Sequence, residues 1–367
     1  MKKELILHII DSLTMGGAET QLKNAVNLLT DYRHLVLYLY PQDDLVKQFE
    51  GEVEFICLHH KGWSSVFSTV GKVKKIIAVN QPLLVHSHLF VSSVCARLAT
   101  PKDLPLLITL HSTYSRDAFQ KNRNSIWAEK LTLKKRHTLI AVSNYVLQDY
   151  LAYIPFAGRK MVLYNFLPDQ YFSQAPQNTQ DFQRPLKCIA VGNLKEAKNY
   201  PYLLEIFSHL KDVPVKLDIF GGGALKKDLE EKIRNTGIAV NLCGKATDLL
   251  SVYKDYDLFI QASSHEGFGL SVIEAMASGL PLMLSDIPVF REITANKAHF
   301  FPLNNSSQAA EILKGLVENR EQREKYVHDN FTYCREQYAA ATFRKNIISI
   351  YDAVTSKDKN SAAKMID

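Results

Sequence analysis

The sequence predicts an α/β fold of two Rossmann-like, parallel-sheet domains facing each other across a cleft, and three observations lead there. Short apolar runs of four to seven residues, rich in Val, Ile, Leu and Tyr, alternate with longer segments of helical period along the whole chain, the rhythm of βαβ units. The length, 367 residues, calls for two domains at ~150 residues each. One stretch, LYNFLPDQYFSQAPQNTQDFQRPL, has three prolines and no period, and reads as the linker between them. The expected division is 1–166, then 167–340, then a closing helix and frayed tail over 341–367, for which packing back on the first domain is one option.

In the first half the strands fall near Leu5 to Ile10, His34 to Tyr40, Val53 to Leu58, Leu83 to His86, Leu106 to Leu110 and Thr138 to Val142. In the second they fall near Cys188 to Gly192, Val215 to Phe220, Val240 to Cys243, Leu258 to Ala262, Leu280 to Leu284 and His299 to Phe301. The last amphipathic period runs from about Phe343 to Val354. Ligands of such sheets are expected at the carboxyl ends of the strands.

Composition narrows the class. Hydrophobic residues are 46%, charged residues 22%, with 16 glycines and 13 prolines, ordinary for a globular protein. Net charge is +6, too mild to indicate nucleic acid, although residues 1–166 hold 20 Lys/Arg against 13 Asp/Glu. Cys57, Cys95, Cys188, Cys243 and Cys334 form no CxxC pair, so neither a disulfide framework nor a zinc knuckle is expected, and the thiols read as reduced and cytosolic. The apolar run after Lys2 and Lys3 spans only Leu5 to Ile10 and contains His8, too short for a signal peptide. No stretch reaches the ~18 apolar residues of a membrane span, so membrane contact would be peripheral.

Two glycine turns attract attention. Gly16 and Gly17 separate the first strand from a helix starting near Ala18, where free amides and the helix dipole favour a phosphate; tight packing is the plainer reading. The stronger segment is SSHEGFGLSVIEAMASGLPLMLSD, Ser263 to Asp286. A loop carrying Glu266, Gly267, Phe268 and Gly269 leads into a helix beginning Ser271-Val-Ile-Glu274, which also reads as a capping box. Glu274 would then only satisfy helix-end amides and Glu266 sit in a solvated loop. The sharper reading is a nucleotide sugar, with amides holding its diphosphate and carboxylates accepting bonds from its hydroxyls.

The run E-G-F-G-L-S-V-I-E-A-M-A-S-G-L-P resembles the E-x7-E signature of family 4 retaining glycosyltransferases of the GT-B fold, with Glu266 and Glu274 as its glutamates. The resemblance extends through H-I-I-D-S-L-T-M-G-G-A-E, Asn165, V-G-N-L-K-E-A-K-N, Phe220-Gly221-Gly222-Gly223, Cys243-Gly244-Lys245 and Tyr256-Asp257. It implies transfer of a sugar from a nucleotide diphosphate sugar, UDP-sugar foremost and GDP-sugar second. The acceptor it implies is carbohydrate or lipid-linked, in surface polysaccharide synthesis at the cytoplasmic membrane face. Glu274 is implied for the ribose, Glu266 for the transferred sugar, Phe268, Gly269 and Leu270 for main-chain amides, and Ser271, Gly222 and Lys245 for the rest of the donor pocket. Lys198 falls at the diphosphate lysine and His111 beside the donor sugar. Asn193 stands where the family usually has arginine, which shifts leaving-group stabilisation toward Lys198 and the helix start.

Three further features complete the reading. His86 and His88 share one strand face and are taken as structural, since no third metal ligand is in evidence. Asp255-Tyr256-Asp257 resembles a metal-binding triplet of the other major glycosyltransferase fold, but it precedes a strand of the second sheet, and no metal is expected. Arg116, Lys121, Arg123, Lys130, Lys134, Lys135 and Arg136 surround Phe119 and Trp127 within 116–137. That composition suits anionic headgroups or a lipid-linked diphosphate, and equally a solvated helix face. The rival functions are a nucleotide-sugar 2-epimerase of the same fold and a non-catalytic nucleotide-sugar-binding subunit.

Overall fold

The computed structural model describes residues 3–116, 122–173, 185–246 and 248–356. They form two compact units, Met1–Phe166 with Ala340–Asp367, and Leu167–Ala339.

The first unit holds β1 (Leu5–Ile10), β2 (Arg33–Tyr38), β3 (Val53–Cys57), β4 (Leu84–His88), β5 (Leu106–Leu110), β6 (Thr138–Ala141) and β7 (Arg159–Val162). Their order is β3-β2-β1-β4-β5-β6-β7, and every pairing is parallel. Six consecutive buried residues in β1 follow from a parallel sheet being covered on both faces. Leu5, Leu7 and Ile9 pack with Leu35, Leu37, Val85 and Ile108 on one face. Ile6 packs with Leu84, Leu107 and Ile140 on the other, against Ile347, Ile350 and Tyr351 of the C-terminal helix Ala340–Thr355. Each of those three side chains contributes roughly 1.5–3 kcal/mol by burial.

The second unit holds β8 (Leu186–Val191), β9 (Val215–Phe220), β10 (Val240–Gly244), β11 (Leu258–Gln261), β12 (Leu282–Ser285) and β13 (His299–Phe301), ordered β10-β9-β8-β11-β12-β13. In both sheets the strand order reverses beside the first strand, between β1 and β4 and between β8 and β11. These reversals are where doubly wound sheets open a crevice.

Two expectations need correction. β7 was not foreseen, because Arg159-Lys160-Met161-Val162 is a short edge strand with a polar start and only partial burial. The linker does not begin at Leu163: Leu163, Asn165, Phe166 and Leu167 are buried, Gln21 exchanges hydrogen bonds with the Phe166 backbone, and Phe166 stacks on Phe343 at 4.2 Å. Residues 174–184 and the tail 357–367 lie outside the described residues.

Candidate active site

The carboxyl ends of β8 and β11 position the acidic and basic groups of the second unit. β8 runs out through Gly192 and Asn193 to a short 3₁₀ turn, Glu196–Lys198. β11 runs out through Ser263 and Glu266 to the helix Leu270–Ala277. The Ser264 amide donates to the Ala197 carbonyl at 2.9 Å, joining the two loops.

That juncture brings Lys198 Nζ to 2.6 Å from Glu266 Oε1, with only 11% and 14% of the two side chains exposed. Glu266 also accepts from Ser263 Oγ at 2.8 Å and Gln261 Nε2 at 3.1 Å. Burial alone would raise its carboxyl, but the Lys198 ammonium, with the Ser263 hydroxyl and Lys195, outweighs it and holds the group below the usual range. Glu274 differs. It accepts from the buried Tyr253 hydroxyl at 3.0 Å, yet burial dominates over Tyr253 and Lys198 and its carboxyl is pushed up. Two carboxylates eight residues apart thus occupy opposite electrostatic regimes.

The expected capping box is absent. The helix starts at Leu270, its N-cap is Gly269 in the left-handed region at φ 105°, and no side chain caps it. Ser271 Oγ instead donates to Gln261 Oε1 at 3.0 Å, and Glu274 is released from helix-end duty to face Tyr253. Gly269 is required there: a Cβ would meet Phe290 and Ile293 at 3.0 and 3.2 Å, on a backbone that L-residues avoid. Gly221 is required for space, since a Cβ would collide with the Gly192 carbonyl oxygen. Phe268 is buried, with its ring edge-on to Tyr338 at 5.5 Å. A Cβ at Gly222 would lie 3.1 Å from Cε of the exposed Lys245. Asn193 is exposed. Gln261 and Tyr253, which tie Glu266, Ser271 and Glu274 together, were missed; a glutamine closing the apolar run Leu258–Ala262 was the available signal.

In the first unit His111 follows β5, and its Nε2 lies 3.1 Å from His88 Nδ1. Burial pushes the His111 imidazole down to about 4, so the ring is neutral at pH 7. The helix Gly17–Leu28 begins after Gly16 as N-cap, and the carboxylate of the buried Glu19 lies against Gly16. A side-chain carboxyl of the chain itself therefore stands at this helix start, its proton held more tightly than usual by burial.

Asp257 and Asp255 have different surroundings. Asp257 is buried and accepts from the Lys187 amide at 2.8 Å, whereas Asp255 is exposed. His86 and His88, by contrast, do have a third imidazole beside them, His8. Within 116–137, Trp127 and Leu131 are 61% and 62% exposed on the helix Arg123–Thr132, and Lys130, Lys134 and Lys135 are exposed around them. Phe119 and Lys121 lie outside the described residues.

Comparison with known proteins completes the description. Residues 173–330 match the family described as glycosyl transferases group 1, and residues 15–170 match Glycosyltransferase Family 4. A putative glycosyltransferase, EpsF, of Bacillus subtilis is 24% identical, the match covering 97% of this chain and 98% of that protein. The chain is a glycosyltransferase of the GT-B fold. A Campylobacter jejuni N-acetylgalactosaminyltransferase, named for an undecaprenol-linked acceptor, is 23% identical to this glycosyltransferase over 74% of the chain and 76% of its own length. Anabaena HepE, crystallised with UDP and glucose, superposes with a TM-score of 0.80 at 18% identity, covering 95% of this chain and all of that one. WaaG, described as a lipopolysaccharide-biosynthesis glycosyltransferase, superposes at 0.73 and 15% identity, over 96% of this chain and all of that one. Among the described residues, no helix of the glycosyltransferase is long and apolar enough to cross a membrane.

Proposed function

We propose that this glycosyltransferase moves a sugar from a UDP-sugar to a carbohydrate or lipid-linked acceptor with retention of anomeric configuration. The observation that carries the reading is the buried Lys198–Glu266 pair beside Glu274 and the helix start at Gly269, at the strand-order reversal of the second sheet. Glu274 receives the ribose hydroxyls. Gly222, Lys245 and Asn193 border the nucleotide, and the amides of Phe268, Gly269, Leu270 and Ser271 hold the diphosphate.

Chemically, the bond between the sugar C1 and the diphosphate oxygen breaks as the acceptor oxygen bonds to C1 on the same face. The acceptor proton passes to a donor phosphate oxygen, and no enzyme nucleophile is used. Charge builds on the departing diphosphate, so the protein's task is to place cationic and dipolar groups there. Lys198 supplies the ammonium, the helix beginning at Leu270 its positive end, and no donor-bound metal is invoked. The crystallisation of HepE with UDP and glucose supports the donor class, and the name of the Campylobacter relative supports a lipid-linked acceptor. Trp127 and Leu131 among exposed lysines support peripheral contact with the inner face of a membrane.

The test is thermal stability against a panel of nucleotides and nucleotide sugars. At 100 times its dissociation constant a ligand adds ~2.7 kcal/mol. A selective shift with one UDP-sugar, lost in Glu274→Ala and Lys198→Ala, supports the donor site. No shift with any uridine or guanosine diphosphate sugar overturns it.

A further inference from the structure

We infer that His8, His86 and His88 form a three-imidazole binding site for a divalent cation of the zinc class inside the first unit. β1 and β4 pair in parallel with His8 opposite His86, and His88 follows two residues on, so alternation along the strand puts all three rings on one sheet face. One ring nitrogen from each lies within 4.8 Å of the others. All three side chains are at most 5% exposed.

The hydrogen bonds indicate which lone pairs are free. His34 Nε2 lies 3.0 Å from the Leu29 carbonyl, which can only accept. His34 Nδ1, 3.1 Å from His8 Nε2, is therefore an acceptor and His8 carries its proton on Nε2. The His8 Nδ1 lone pair is left bare, buried and without a hydrogen-bond partner; His88 Nε2 is likewise without one. Two orphaned imidazole nitrogens inside a sheet are costly unless something occupies the space between them.

The outer contacts are those of metal-bound histidines, whose second nitrogen is held by an acceptor. His8 has His34, and His88 Nδ1 has His111 at 3.1 Å. His86 has Thr109 Oγ1 at 2.7 Å and the Tyr351 hydroxyl at 3.0 Å; coordination exchanges one hydroxyl for the cation and keeps the other. Burial keeps the imidazoles neutral, the ligating form. Three neutral imidazoles and no thiolate suit zinc or cobalt at about 2 Å. A small pocket of about 40 Å³, also lined by Gln21, Thr109, His111 and Asn165, adjoins the three rings and leaves room for a water as fourth ligand. The cation would tie β1 to β4 and, through His88 Nδ1–H, fix the His111 proton on Nδ1.

The experiment uses the full chain without a polyhistidine tag, stripped with chelator, reloaded with Zn²⁺ or Co²⁺ and desalted. About one retained equivalent per chain, a tetrahedral Co²⁺ visible spectrum and an X-ray absorption signature of three imidazoles are expected. His8→Gln and His88→Gln should each lose the retained metal while His209→Gln, on the second unit, keeps it. No retained metal, retention in both His8→Gln and His88→Gln, or a shell containing sulfur or fewer than three imidazoles would overturn the site. Should the variants fail to fold by circular dichroism, X-ray absorption on the unaltered chain decides alone. Retained metal and the absorption spectra are read without any nucleotide sugar, so failure of the site and failure of the donor assignment are told apart.

Discussion

Lys198 and Glu266 form a pair with little access to water, and each is the other's main compensation. Removing the ammonium strands a buried carboxylate, which costs about 3–5 kcal/mol in a fully enclosed pair and less here because both side chains keep some exposure. Lys198→Ala should therefore lower the melting temperature as well as turnover, by about 10²–10³ in kcat if the ammonium meets the departing diphosphate. Lys198→Arg should restore the stability and only part of the rate, as a planar fork does not reproduce a compact point charge. A melting temperature unchanged in Lys198→Ala would refute the compensation. Glu274 carries the pH dependence. Its folded carboxyl is raised above its unfolded value by burial, so the ionised form that accepts ribose hydroxyls is lost earlier on acidification than in an ordinary glutamate. UDP affinity, measured calorimetrically, should fall as pH drops through that raised value, and Glu274→Gln should flatten the profile. The sign for stability is opposite: the apo fold gains relative to the unfolded chain below the unfolded value and loses that gain as pH rises through the folded one.

At the scale of elements, the helix Leu270–Ala277 is set by its glycine N-cap and by Gln261. Gly269→Ala should destabilise the protein by about 1–3 kcal/mol, the cost of a non-glycine residue held at positive φ, with added crowding against Phe290 and Ile293. Ser271→Ala should cost only about 1 kcal/mol, one hydrogen bond, and its effect should disappear in a Gln261→Leu background because Ser271 bonds Gln261 and not the helix end. A double-mutant cycle by urea denaturation measures this; an undiminished Ser271→Ala effect would restore the capping role. The E-x7-E spacing was visible in the sequence, and of the two readings it allowed for Ser271 and Glu274 the capping box is the one the structure does not form. Ser-x-x-Glu satisfies a capping box locally, and only the positive φ of Gly269 moves the N-cap two residues earlier, from Ser271 to Gly269, and frees both side chains.

For the whole molecule, the C-terminal helix Ala340–Thr355 belongs to the first unit, not to the unit that precedes it in sequence. Ile347, Ile350 and Tyr351 complete the apolar face of the first sheet, and Arg159 Nη1 donates to the Ala353 carbonyl at 2.8 Å. Deleting 340–367 should expose that face and bring early proteolytic cleavage within residues 1–166, while 185–339 stays protected. Equal protection of both segments would show the helix to be dispensable.

Composition, period and motif order determined by themselves that this chain alternates strands and helices in two parallel sheets, and that Glu266, Lys198 and His111 stand in loops after strands, with Glu274 on the helix that follows one of them. Those properties are local: burial on both faces demands continuous apolar runs, and a ligand-binding loop must follow a strand. Tertiary structure alone decided which distant residues meet. His8 reaches His86 and His88 because parallel pairing skips from β1 to β4, and the edge strand β7 escaped notice because an edge needs little apolar surface. Ser271 faces Gln261 through the geometry of one glycine, and the last helix returns across 173 intervening residues. Register, burial and chain return are long-range consequences of packing, and no local pattern encodes them.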